Sequence, residues 1–151
     1  MLTTVHRTAA RIATACIASF WIATVGVELA GSADAVARVK HAIVMPGLLL
    51  LIPAIAATGA SGFALARARG GALVAAKKRR MPWIAANGLL VLVPCALLLD
   101  RWAAASLLDA RFVAVQAVEL VAGAVNLALM ALNLRDGRRL VRQREIGRAH
   151  V

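Results

Sequence analysis

Four stretches of the chain stay apolar for long enough to cross a hydrocarbon core: 12–30, 42–66, 81–99 and 112–134. A helix rising 1.5 Å per residue needs about 20 apolar residues to traverse roughly 30 Å of acyl chain. The second and third stretches hold no charged residue, the first holds only Glu28 and the fourth only Glu119. At that depth no water is available to the backbone, so each segment must satisfy its own N–H and C=O groups, which a helix does. The pattern predicts an all-α integral membrane fold, an up-and-down four-helix transmembrane bundle in which 1–144 form a single four-span domain.

Within that frame the polar positions are not scattered. In the fourth stretch Gln116, Glu119, Gly123, Asn126, Met130 and Asn133 recur every three or four residues, which is one face of a helix. In lipid such a face turns toward the interior of the bundle and leaves Leu, Val and Ala to the acyl chains. The second stretch is long, about 37 Å if straight at 1.5 Å per residue, and carries Pro46 and Pro53, so a kink or tilt is expected. It closes on Thr58-Gly59-Ala60-Ser61-Gly62, small residues that suit a tight helix crossing.

Composition supports lipid as the solvent: 62% of the 151 residues are hydrophobic, with a mean hydropathy of +0.79. A water-soluble chain of this size could not hide so much apolar side chain. The net charge of +11 reads as topology rather than as a nucleic-acid surface, because the cations sit between the apolar runs. Fourteen of the 18 Lys and Arg residues fall in the N-terminal stub, in the turn between the second and third stretches, and in the C-terminal tail. These three segments share one side of a four-span protein. The positive-inside rule places that side, with both termini, in the cytoplasm. An Arg- and Ala-rich composition suits a bacterial inner-membrane protein. A rival reading makes the first stretch a cleaved export signal ending near Ala33-Asp34-Ala35, but its apolar run is longer than a signal needs and contains Glu28. The last seven residues, 145–151, match the translation of a sequencing adapter, so they are read as a non-native tail and His150 is set aside.

Candidate chemistry lies where polar groups enter the membrane. Glu119 sits about 10 Å inside the boundary at Phe112, at 1.5 Å per residue, and must be protonated or paired there. Glu28, His41 and Gln116 come from the same side and complete a candidate polar cluster with Glu119, suited to proton exchange, to ligand binding or to fixing helix register. His41 and Met45, one turn apart, offer the imidazole and thioether that copper accepts, and a mixed His–Met haem ligation is the weaker variant of that idea. Ser61, Asn87, Asn126 and Asn133 are expected to form an intramembrane hydrogen-bond seam, with Ser61, Asn87 and Asn133 meeting at one depth. Lys77, Lys78, Arg79 and Arg80, followed by Met81-Pro82-Trp83, read as a clamp on anionic headgroups and a helix start with an interfacial indole. Cys16 and Cys95 lie in opposite leaflets and do not pair.

No phosphate-binding glycine loop, nucleophile elbow or metalloprotease helix occurs in the sequence. The leading expectation is therefore a small non-enzymatic inner-membrane protein of accessory or interaction type, built around a polar seam and without a resident cofactor. Its partners would be an anionic bilayer and a membrane-protein partner or a second copy of itself, not nucleic acid. The alternatives are a proton-coupled carrier of small solutes using Glu119, and a copper- or haem-binding membrane protein using His41.

Overall fold

In the computed structural model residues 1–67 and 72–149 are described. Arg69, Gly70 and Gly71 of the basic turn, and His150 with Val151, lie outside the described residues. Among the described residues all regular structure is helical, and four helices are long and apolar enough to cross a membrane. The protein is a multi-pass membrane protein with the architecture of a four-helix bundle.

The first span is α1 (Leu2–Ala30). The second is α2 (Ala33–Ala42) followed by α3 (Leu49–Arg67), joined through irregular wide turns at Ile43–Leu48. The third is α4 (Ala72–Asn87) followed by α5 (Val93–Ala104), joined through a π-type turn at Gly88–Leu92. The fourth is α6 (Ala110–Ala149). Each helix outruns its apolar stretch, because interfacial Ala, Leu, Arg and Lys are good helix formers and the hydrogen-bonded turns continue past the hydrocarbon. The Lys77–Arg80 run is thus part of α4 and not of a loop.

Connections are correspondingly short. At the end away from the termini, α1 passes to α2 through Gly31 and Ser32, where the Ser32 hydroxyl accepts from the Ala35 N–H at 3.3 Å. The α5–α6 connection ends at Asp109, whose carboxylate accepts from the N–H groups of Arg111 and Phe112 at 3.0 and 3.1 Å. Both caps satisfy amide donors that the first helical turn cannot.

The expected kink falls at Pro46 and not at Pro53. A proline disfavours helical geometry in the residue before it, and Met45 is extended (φ −130°, ψ 110°) with a cis peptide bond to Pro46. Pro53 is accommodated inside α3.

Two apolar clusters hold the bundle. Toward the termini, Ala13 and Ile17 of α1 pack with Leu51 and Ala54 of α3, Leu48 and Met130. At the opposite end Val36, Leu99, Ala103 and Phe112 join α2, α5 and α6. Gly47 is required where α1 crosses the irregular turn, since a Cβ there would stand 2.7 Å from the Phe20 ring. Elsewhere large apolar side chains such as Ile22, Leu50, Leu90, Val113, Val121 and Val125 stay exposed, forming the surface that meets acyl chains.

Candidate functional site

The polar face of α6 points inward. Gln116, Gly123, Asn126 and Met130 are buried, and Glu119 and Asn133 half-buried. What each meets depends on the neighbouring helices.

Glu119 is paired. Lys40 Nζ donates to Glu119 Oε2 at 2.5 Å, and the lysine side chain is wholly buried. Gln116 Nε2 donates to the same oxygen at 3.3 Å. A lone charge at this depth would be costly, and the pair removes the net charge. Lys40 can reach because α2 is already helical from Ala33, so Val36 and Lys40, four residues apart, share its inward face.

That geometry takes the expected polar cluster apart. Successive residues of a helix are turned by about 100°, so His41 points away from Glu119 when Lys40 points toward it. Its ring is 69% exposed and lies 3.4 Å from an Asp100 carboxylate oxygen. Glu28 is exposed at the end of α1 and joins no hydrogen bond or ion pair among the described residues. Of the four residues, the structure brings together only Gln116 and Glu119.

Met45 is the residue at which helical geometry breaks, and both its side chain and the His41 ring are exposed. No group of three or more His, Cys, Asp or Glu side chains gathers among the described residues.

The asparagine seam is corrected in its details. Asn87 Nδ2 donates to the Ala122 carbonyl at 2.8 Å, well away from Asn133. Asn133 Oδ1 accepts from Arg80 at 3.4 Å, and the same guanidinium donates to Asp136 at 2.6 Å. Ser61 donates to the Ala57 carbonyl in its own helix and is also 3.1 Å from His6 Nδ1. Ser61, Asn87 and Asn133 therefore do not meet. The apolar boundaries put Asn87 and Asn133 at similar depth, but the residue of α4 level with Asn133 is Arg80, which carries Asn87, seven residues further along α4, deeper to Ala122. Of the basic run, Lys78 and Arg79 are exposed, Lys77 is half-buried, and Arg80 is engaged by Asp136.

Asn126 differs from all of these. It is completely buried, and among the described residues both its Nδ2 and its Oδ1 lack a hydrogen-bond partner, whereas Gln116 leaves only its Oε1 unpaired. It lines a cavity of about 230 Å³ between the four spans, together with Glu119, Trp21, Phe20, Leu51 and Leu92. Both irregular turns contribute to the wall, through Ile43 and Leu48 and through Gly88, Leu89 and Leu92. Ile52 and Ala56 of α3, Ala85 of α4, and Leu89 line the cavity and are also exposed, so it opens sideways between the second and third spans. Trp21 fixes the opposite wall: its indole N–H donates to the Leu120 carbonyl at 2.9 Å, and its ring lies 3.0 Å from where a Cβ on Gly123 would be.

Comparison with protein-family models, with curated proteins and with solved structures finds no match. The chemistry has to be argued from this arrangement. The chamber is apolar apart from the Thr24 hydroxyl, the Asn126 amide and the Glu119 carboxylate paired with Lys40.

Sequence reasoning missed Lys40, one of the four cations outside the three basic segments. A buried Glu119 demanded a counter-charge of similar depth, and Lys40 is the one lysine in the two sparsely charged connections. Its flexible stem and compact ammonium suit burial against a single carboxylate oxygen.

Proposed function

We propose that this chain is a non-enzymatic protein of the bacterial inner membrane, with both termini cytoplasmic, whose task is to bind a small membrane-dissolved molecule between its helices. The observation that carries the reading is Asn126. Leaving an amide buried and unpaired costs about 1–3 kcal/mol, and such groups are otherwise rare in folded proteins. Asn126 is part of the wall of a chamber that opens toward lipid, so a ligand held there can come beside its amide. Elsewhere α6 is tied to other spans by Trp21, Lys40, Arg80 and Asn87, and Gln116 Oε1, the other buried side-chain atom left unpaired among the described residues, is not among the residues lining the chamber.

The test is native mass spectrometry of the protein taken from its membrane in mild detergent. A small-molecule adduct is expected on the unaltered chain and should vanish when the mouth is filled by Ala56→Phe with Ala85→Phe, both exposed positions that need no core repacking. An adduct of the same mass and occupancy in the filled variant, or none in either, overturns the reading.

A second reading, proton-coupled transport of that molecule, is favoured by one feature: Glu119 lines the same chamber as Asn126. Protonating Glu119 would release Lys40, linking occupancy to the ion pair. Uptake by inverted vesicles should then depend on a pH gradient and lose that dependence in Lys40→Met with Glu119→Gln. Gradient-independent uptake in the unaltered protein would leave simple binding.

A further inference from the structure

We infer that the molecule taken up between the spans is an uncharged chain-like amphiphile whose head both donates and accepts a hydrogen bond, such as a long-chain alcohol, and that it enters sideways from the bilayer between α3 and α4. The inference rests on reading the chamber as a binding site, and adds to it the ligand's charge, its head group and its route.

Charge follows from the ion pair. Glu119 is the charged group lining the chamber, and Lys40 already neutralises it. A cationic or anionic ligand would have to leave water or the headgroup layer for apolar walls that offer no uncompensated counter-charge. An uncharged ligand meets no such cost.

The head group follows from Asn126. Its Nδ2 needs an acceptor and its Oδ1 needs a donor, and neither finds one among the described residues. A hydroxyl supplies both. An ester, ketone or quinone carbonyl would satisfy the nitrogen alone, and an alkane would satisfy neither. Sites built to hydrogen-bond a ligand reject an analogue lacking that group far more strongly than an apolar pocket rejects a missing methylene.

Route follows from the wall. Ile52, Ala56, Ala85 and Leu89 are exposed on the lipid-facing surface and also line the chamber. Behind them Gly88 packs beside the buried amide: a Cβ built there would stand 3.7 Å from Asn126 Nδ2. A larger side chain at 88 would occupy chamber volume beside Asn126. The tail can then lie among Ile17, Phe20, Leu51 and Ile55.

Trp21 provides the readout, because it lines the chamber whereas Trp83 is outside it, 70% exposed, and Trp102 packs in the opposite-end cluster. In lipid nanodiscs, protein carrying Trp83→Phe and Trp102→Phe is titrated with 12-bromododecan-1-ol, 1-bromododecane and 12-bromododecyltrimethylammonium, and bromine quenching of Trp21 is followed. The alcohol should quench saturably at a membrane mole fraction at least about tenfold below that of the other two. Asn126→Leu should abolish the preference of alcohol over alkane, and Gly88→Leu should weaken the alcohol. If the tryptophan changes prevent folding, competition among the same three compounds by native mass spectrometry of the unaltered chain gives the same ranking.

Equal saturation by alcohol and alkane, or a preference surviving Asn126→Leu, overturns the head-group assignment while leaving the chamber as a binding site. Saturation by the quaternary ammonium at the alcohol's mole fraction overturns the charge argument. Unchanged quenching in Gly88→Leu overturns the route. Saturable quenching by none of the three sinks the inference, and the mouth-filling experiment then decides separately whether the chamber binds anything.

Discussion

Lys40 and Glu119 form a buried ion pair, and breaking such a pair from one side leaves an uncompensated charge that costs about 3–5 kcal/mol. Glu119→Gln and Lys40→Met should each lower stability by roughly that amount, measured by denaturant titration in mild detergent. Replacing both with apolar residues, Lys40→Met with Glu119→Leu, should recover most of the loss, since apolar replacement of a whole buried pair is often neutral or better. Equal damage from the single and double variants would show that the pair is not what matters there. Asn126 predicts the opposite sign. Asn126→Leu removes two unpaired polar atoms at nearly constant volume, so the ligand-free protein should gain about 1–3 kcal/mol. A loss of stability would mean that the amide is satisfied within the fold.

At the scale of elements, the irregular turns Ile43–Leu48 and Gly88–Leu92 stand on two different spans and wall the same chamber. Backbone that departs from the α-helix is tolerated at membrane depth where it is buried in protein or borders a cavity. Helix ends are the other sensitive elements. Asp109 caps α6 through two amide bonds, and Asp109→Ala should cost about 1 kcal/mol and speed amide hydrogen exchange in 111–114 without altering α1. Uniformly faster exchange throughout the protein would contradict a purely local cap. Some of this was readable beforehand: the α6 face was plain from its spacing, and a kink was expected from the two prolines. That Pro46 breaks the span while Pro53 does not depends on what packs around each, which spacing does not encode.

Across the whole molecule, four spans put Asp34 and Leu107 at one end of the bundle and Thr4 and Arg79 at the other, all four exposed. With Cys16 and Cys95 replaced by Ala, a membrane-impermeant maleimide applied to spheroplasts should label Asp34→Cys and Leu107→Cys. It should label Thr4→Cys and Arg79→Cys after permeabilisation. The reverse pattern would overturn the cytoplasmic placement of the termini, and labelling of Asp34→Cys on one side and Leu107→Cys on the other would overturn the four-span arrangement.

Hydropathy depends on residue type and run length alone, so the lipid environment, the number of spans, the helical class and the inward face of α6 were all contained in the order of residues. Partnerships were not. Whether Lys40 or His41 met Glu119 turned on the rotation of α2 about its axis. Whether Asn87 lay beside Asn133 or beside Ala122 turned on how far α4 slid along α6. The chamber itself appears only after four spans take their separations and two of them depart from regular α-helical turns beside a common space. A linear pattern lists the groups that need partners, and packing decides which are left without one among the described residues, here both polar atoms of Asn126 and the Oε1 of Gln116.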